Sequence, residues 1–215
     1  MHQKVIHIVD DDHQVRAATS FLLRSMGHRT QIYAHGQEFL DQAQLDEGCV
    51  LLDLRMPGLS GFQVVEALRR RGSSLPVIML SGHGDIPIAV QAMKLGAQEF
   101  LEKPYQEAAL IEAVERAFSA DASLTVRNDQ RLAASTSVAT LSLRERQVLQ
   151  SLLAGLANKE IARQLDLSPR TVEMHRASMM SRLAVSSLAE AVRIALDAGL
   201  ESLEREAPND AASVA

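Results

Sequence analysis

Only one cysteine, Cys49, occurs in 215 residues, so no disulfide can close within the chain. It lies in the apolar run Gly48-Cys49-Val50-Leu51-Leu52, which predicts a small buried side chain rather than a reactive thiol. No apolar run approaches the roughly 20 residues that a membrane-spanning helix needs. The N-terminal stretch reaches Asp10, Asp11 and Asp12 too soon to serve as a signal peptide. A soluble, cytoplasmic protein with no membrane partner is therefore expected. Repeats of solenoid period are absent, and the histidines other than His175 lack the spacing of metal ligands. Net basic charge is also missing, since 22 Lys and Arg face 27 Asp and Glu.

That deficit is unevenly spread. Residues 1–120 hold 11 basic and 15 acidic side chains, a net of −4, whereas residues 139–200 hold 8 and 6, a net of +2. The last stretch, 201–215, carries 1 basic and 4 acidic residues and reads as a solvated, disordered acidic tail. The mild basicity of the middle segment permits a nucleic-acid partner.

Residues 4–118 alternate short apolar runs with longer amphipathic ones, the pattern of an α/β fold with a doubly wound parallel sheet. Five strands are expected at Val5–Val9, Arg29–Tyr33, Val50–Asp53, Val77–Ser81 and Glu99–Leu101. In the first helix Val15, Ala18, Leu22 and Met26 recur at helical spacing and predict the inward stripe, with Arg16 and Arg24 facing away and Gly27 ending the helix. The fourth helix is expected to start with Asp85 and Pro87 in its first turn and to stop at Gly96. Residues 121–138 lose strong periodicity and fill with Ser, Thr and Ala, which reads as a linker that allows a short helix at its start. Beyond Leu141 the periodicity is helical throughout, so the organisation is an α/β domain over 1–120, the linker over 121–138 and an all-α domain over 139–200.

In a doubly wound sheet, residues beyond the carboxyl ends of the strands converge on one crevice. Here those ends offer Asp10, Asp11 and Asp12, then Asp53, then Ser81, then Lys103-Pro104. Two carboxylates 4 Å apart repel by ~4 kcal/mol at an effective dielectric near 20, so the cluster needs a counter-ion. Its oxygen-only ligands point to Mg2+. A metal-clamped carboxylate beside an ammonium and a hydroxyl can take a phosphoryl group, with Asp53 as the nucleophile. Singly, the aspartates could instead form a turn and helix cap, and Lys103-Pro104 a loop.

The acidic pair Asp10-Asp11, the stretch Asp53-Leu54-Arg55-Met56-Pro57 with Ser60-Gly61, the step Ser81-Gly82 and Lys103-Pro104 together resemble a response-regulator receiver domain over residues 4–118. The resemblance implies a five-stranded, flavodoxin-like receiver in a bacterial cytoplasm. It implies that Asp53 accepts phosphate from a sensor histidine kinase. It further implies that Asp10, Asp11, Asp53 and the Arg55 carbonyl hold Mg2+, and that Ser81, often threonine in the family, and Lys103 contact the phosphoryl group. Phe100 falls on the family's aromatic switch position, with a plain core role as the alternative. The surface of the fourth helix and fifth strand makes dimers in related receivers, so a homodimer is expected on phosphorylation.

In the second domain, helix starts are expected at Ser142, Asn158 and Ser168, each a polar cap. Gly155 ends the first helix, and Asp166-Leu167-Ser168-Pro169 forms the turn of a helix-turn-helix. Val172, Met179 and Leu183 share an inward stripe, which leaves Arg170, Glu173, Met174, Ala177 and Ser181 outward. Leu141-Ser142, Arg144-Glu145-Arg146, Val148-Leu149, Gly155, Asn158-Lys159, Ile161-Ala162, Leu165, Ser168, Arg170-Thr171-Val172, His175-Arg176 and Leu183 make residues 141–196 resemble the DNA-binding domain of the NarL/FixJ (LuxR-type) regulators, closest to the FixJ-like subgroup.

This second resemblance implies double-stranded DNA as partner, with Pro169–Leu183 in the major groove. Lys159, Arg176 and Arg182 would meet phosphates, while Arg170, Thr171, Glu173, Met174 and Ala177 complete the expected DNA-facing set. Base-edge contacts set specificity, and Glu173, Met174 and Ala177 are the candidates for it. Glu173 has two readings, acceptance from cytosine N4 or pairing with Arg170 or Arg176. His175 is expected to pack in the core. The final helix, Ser187 to Ala198, has an apolar stripe at Leu188, Ala191, Val192, Ala195 and Leu196 that serves either dimerisation or core packing.

An enzyme of the haloacid dehalogenase type would also use an aspartate after a strand, but it needs a second acid two residues on, where this chain has Arg55. The expectation is accordingly no enzyme beyond slow self-dephosphorylation. A protein- or RNA-binding output for the helical domain is the remaining alternative. At rest, the first domain either blocks the second or stands apart from it on the linker.

Overall fold

The computed structural model describes residues 4–45, 48–82, 86–119 and 124–203, and forms two compact units, the first holding the sheet and the second the C-terminal helices. Five parallel strands, β1 (Val5–Val9), β2 (Arg29–Tyr33), β3 (Cys49–Asp53), β4 (Val77–Ser81) and β5 (Glu99–Glu102), lie in the order β2-β1-β3-β4-β5. Three strands match their expected ends, while β3 and β5 each extend by one residue, to Cys49 and Glu102. β3 and β4 are buried along their whole length, as continuous apolar runs covered on both faces must be.

Parity along the strands sorts the core into two layers. Ile6, Ile8, Cys49, Leu51, Ile78, Leu80 and Leu101 pack with Leu23 of α1 (His13–Ser25) and with Leu110, Ala113, Val114 and Ala117 of α5 (Glu107–Ser119). His7 has the opposite parity and lies against Phe39 of α2 (Gly36–Gln42), ring centroids 5.6 Å apart. There α2 packs on α3 (Gly61–Arg70). Cys49 is buried, and burial pushes its thiol up to about 12, so it behaves as the small apolar residue expected.

The inward face of α1 follows the expected stripe only in part: Val15 is half-buried and Leu22 packs against the core, but the most buried positions lie one residue on. Thr19, Ser20 and Leu23 are buried, whereas Ala18 is exposed and Met26 is 47% exposed. Hydroxyls can face inward because they are paired: Thr19 Oγ1 lies 2.9 Å from the Tyr105 hydroxyl and Ser20 Oγ 2.8 Å from Thr30 Oγ1. Arg24 is exposed, as expected, while its Nε donates to Thr30 Oγ1 at 2.7 Å.

Helix α4 spans Ile86–Lys94, and the expected starter Asp85 lies outside the described residues. Residues expected as a linker form α6 (Leu124–Ala139), a helix of 16 residues. The stretch contains no Gly or Pro and several strong helix formers, so propensity sustains it although amphipathicity is weak.

In the second unit, α7 (Leu143–Leu153), α8 (Asn158–Gln164), α9 (Pro169–Arg182) and α10 (Leu188–Asp197) enclose a core that includes Val148, Leu149, Leu152, Ile161, Val172, Met179 and Val192. Ser142 and Ser168 cap α7 and α9 as expected. Asn158 does not cap α8. The cap position is Ala157, whose N–H donates to Glu160 Oε2 at 2.7 Å, and Asn158 is the first helical residue. In α10, Ala191, Val192 and Ala195 are buried, which favours core packing for that part of its stripe. Residues 204–215 of the expected acidic tail lie outside the described residues. Among the described residues no helix is long and apolar enough to cross a membrane.

Candidate functional site

The strand order reverses between β1 and β3, and the crevice of an open α/β sheet lies at that point. The pairing Val9↔Leu52 continues to bring Asp10 beside Asp53. Parity does the rest: Asp10 follows Ile6 and Ile8, Asp53 follows Cys49 and Leu51, and Lys103 follows Leu101, so all three side chains leave the same face at the carboxyl ends.

They meet there. Lys103 Nζ donates to Asp10 Oδ2 at 2.5 Å and also to Asp53 Oδ1. The other oxygens are engaged as well, since Asp10 Oδ1 accepts the Asp12 N–H at 2.9 Å and Asp53 Oδ2 accepts the Arg55 N–H at 2.8 Å. Burial pushes the Asp53 carboxyl above its ordinary value, and the hydrogen bond from Lys103 only partly offsets it. Lys103 shows the reverse balance: burial disfavours its charge, but its bonds to both aspartates outweigh that and raise its pKa.

The three adjacent aspartates separate into different settings. Asp10 is buried, Asp11 is exposed, and Asp12 caps α1 by accepting the Gln14 N–H at 2.7 Å, so the helix-cap reading holds for Asp12. Ser81 is buried at the end of β4, and its carbonyl accepts the Lys103 N–H at 2.7 Å. Phe100 is buried opposite Met79 in the sheet register. Gly61 lets α3 approach the end of β3: a Cβ there would sit 2.6 Å from the Asp53 carbonyl oxygen.

Among the described residues no three His, Cys, Asp or Glu side chains gather as a ready metal cage. The donors around the pocket are nevertheless all oxygen, two buried carboxylates and the backbone beyond Asp53, and they share one internal cation. That chemistry fits a hard divalent ion.

On the second unit, Lys159, Arg170, Glu173, Met174, Ala177 and Arg182 are exposed, and Thr171 is half-buried. Arg176 is also half-buried, and its Nη1 donates to Asn158 Oδ1 at 2.8 Å. Burial lowers the Arg176 pKa, and the charge of Glu173 opposes that shift. His175 is half-buried rather than fully enclosed.

Glu145 was legible in the sequence only as a motif residue. It is buried, and its carboxylate takes Ser178 Oγ at 2.6 Å, Arg182 Nε at 3.0 Å and the Ser142 N–H at 2.8 Å. Burial would raise its pKa, but these donors from Ser178, Ser142 and Arg182 hold it down to about 2. The start of α7 is thereby bound to the far half of α9. The spacing Ser142-x-x-Glu145 is a capping-box signature that signals half of this arrangement.

Residues 6–115 match the family described as response regulator receiver domain, and residues 139–195 match bacterial regulatory proteins of the luxR family. The two matches define a response regulator with a DNA-binding output. The chain is 46% identical to the transcriptional regulatory protein FixJ of Azorhizobium caulinodans, over 94% of this chain and 97% of that protein. It is 42% identical to the tetrathionate response regulatory protein TtrR of Salmonella typhimurium, over 87% and 90%. The crystal structure of full-length FixJ from B. japonicum matches at 40% identity with a TM-score of 0.54, over 93% of this chain and 98% of that one. The protein thus belongs to the FixJ-like two-component response regulators, which join a receiver to a LuxR-type helix-turn-helix. Its function is that of a phosphorylation-dependent transcription factor, and its relatives are regulators of transcription rather than enzymes. The receiver implies a histidine kinase as partner and the luxR-type domain implies DNA.

Proposed function

We propose that Asp53 is the phosphoacceptor of a bacterial, cytoplasmic regulator and that its phosphorylation drives homodimerisation and promoter binding. The observation that carries this reading is the bridge of Lys103 to both Asp10 and Asp53 at the carboxyl ends of the strands. In the transfer, an Asp53 carboxylate oxygen attacks the phosphorus of a phosphohistidine on the kinase. The new O–P bond forms as the P–N bond breaks, and the electron pair returns to the imidazole, which takes a proton from solvent. Asp10, Asp11, Asp53 and the Arg55 carbonyl would hold Mg2+, which supplies positive charge against the transferred oxygens. Lys103 then shifts its hydrogen bonds toward the phosphoryl oxygens, Ser81 contributes its hydroxyl, and Phe100 moves with Ser81 to alter the surface of α4 and β5. Slow hydrolysis of the acyl phosphate resets the switch.

For the output, α9 enters the major groove. Lys159, Arg176 and Arg182 meet phosphates, Arg170 and Thr171 flank them, and Glu173, Met174 and Ala177 face base edges. Two such domains in a dimer raise apparent affinity without new contacts.

Size-exclusion light scattering with Mg2+, with and without beryllofluoride, tests the reading on the wild type and Asp53→Ala. A monomer-to-dimer shift in the wild type alone is expected. No shift in either removes dimerisation and leaves release of the DNA-binding domain within a monomer as the control.

A further inference from the structure

Helix α1 touches both loops that deliver the pocket's charges. Arg16 Nη1 donates to the backbone carbonyl of Asp10. One turn later, Thr19 Oγ1 pairs with the hydroxyl of Tyr105 at 2.9 Å. Tyr105 stands two residues after Lys103 and packs against the core that includes Leu23 of α1 and Leu110 of α5. Since Lys103 in turn binds Asp10, the contacts close a ring: Asp10, Arg16, Thr19, Tyr105, Lys103 and Asp10 again.

We propose that Thr19 and Tyr105 are positioning residues for Lys103, bracing the β5–α5 loop against α1 so that the ammonium stays on target when its aspartate partners are redirected. The proposal rests on the phosphorylation reading above. At rest, Asp10 and Asp53 themselves hold the lysine, and the brace is redundant. During transfer both carboxylates acquire other partners, and the lysine must be held through its backbone. One restraint is the Lys103 N–H on the Ser81 carbonyl at 2.7 Å. The Thr19–Tyr105 bond, two residues further along the loop, is a second. Thr19 is 5% exposed, so water competes poorly for its hydroxyl.

The test measures the rate of phosphorylation of the full chain by acetyl phosphate in Mg2+. Thr19→Val, Tyr105→Phe and the double variant should each be slower by about fivefold, the factor that the net value of one neutral hydrogen bond gives. Thr19→Ser, which keeps the hydroxyl, should restore the wild-type rate. On a Lys103→Ala background Tyr105→Phe should change nothing, a result that a general loss of stability would not produce. Melting curves confirm folding of every variant used. Wild-type rates in folded Thr19→Val and Tyr105→Phe overturn the brace alone, as does equal slowing by Tyr105→Phe with and without Lys103. A wild type that takes no phosphate overturns the phosphorylation reading and the brace with it.

Discussion

Glu145 offers the sharpest energetic test in the second unit, because one buried carboxylate, 3% exposed, serves three donors on two helices. Glu145→Ala removes the capping acceptor at Ser142, which costs about 1 kcal/mol. It also strands Ser178, and a hydrogen bond to a charged acceptor contributes about 1.5–3 kcal/mol. Arg182 is half exposed, regains water and adds little. The expected loss is about 3 kcal/mol, and Glu145→Gln, which keeps one accepting oxygen, should lose about half of that. The pH dependence has a fixed sign. A carboxyl held at about 2 in the fold against an ordinary 4.5 stabilises fully above 4.5, and the contribution fades as pH falls toward about 2. Because its partner Arg182 is half exposed and water screens part of the effect, about 1–2 kcal/mol should titrate in that window. Urea titrations of the full chain, read by NMR at the α9 amides, compare wild type with Glu145→Gln from pH 2.5 to 6. The gap in midpoint should close as pH falls. Equal midpoints at pH 6, or a gap that ignores pH, would refute the role of the carboxylate.

Three further outcomes are expected. Asp53→Asn should raise the thermal midpoint of the first unit at pH 7: an acid whose folded pKa is raised opposes folding once pH exceeds its ordinary 3.8, so the gain should vanish below that pH. Calorimetry across pH checks it, and a stabilisation that persists at pH 3 contradicts it. Gly61→Ala drives a methyl into the Asp53 carbonyl and should destabilise the first unit by about 1–3 kcal/mol while slowing phosphorylation, both measurable on the full chain. Ala184 sits at φ +53° after α9, so Ala184→Gly should stabilise the second unit by about 0.5–1 kcal/mol in urea unfolding, relief of the left-handed strain exceeding the added chain entropy.

Strand and helix order were legible because the two periods differ so plainly between runs such as Val77–Ser81 and the helices around them. Asp10, Asp53 and Lys103 were legible for a related reason: strand ends in this topology converge, and parity fixes the face. What escaped was pairwise. No pattern announces that Thr19 and Ser20 turn inward, since the cause is a hydroxyl partner on another element, 86 residues away for Thr19. The same holds for Asn158, which reads as a cap but bonds Arg176 on α9. Helix α6 was hidden because its polarity resembles a loop, whereas its lack of helix breakers governed the outcome.

The lysine bridge also has a consequence for synthesis. Lys103 follows Asp53 by 50 residues and Asp10 by 93, so both acids leave the ribosome before their counter-charge exists. At ordinary elongation rates the wait after Asp53 lasts roughly 3–10 s. Until β5 arrives, closing the carboxyl ends of β1 and β3 would bury two like charges together, and the nascent sheet gains by leaving that edge open to water. The residue that offsets part of the finished pocket's negative charge therefore also sets the earliest moment at which the domain can complete its fold.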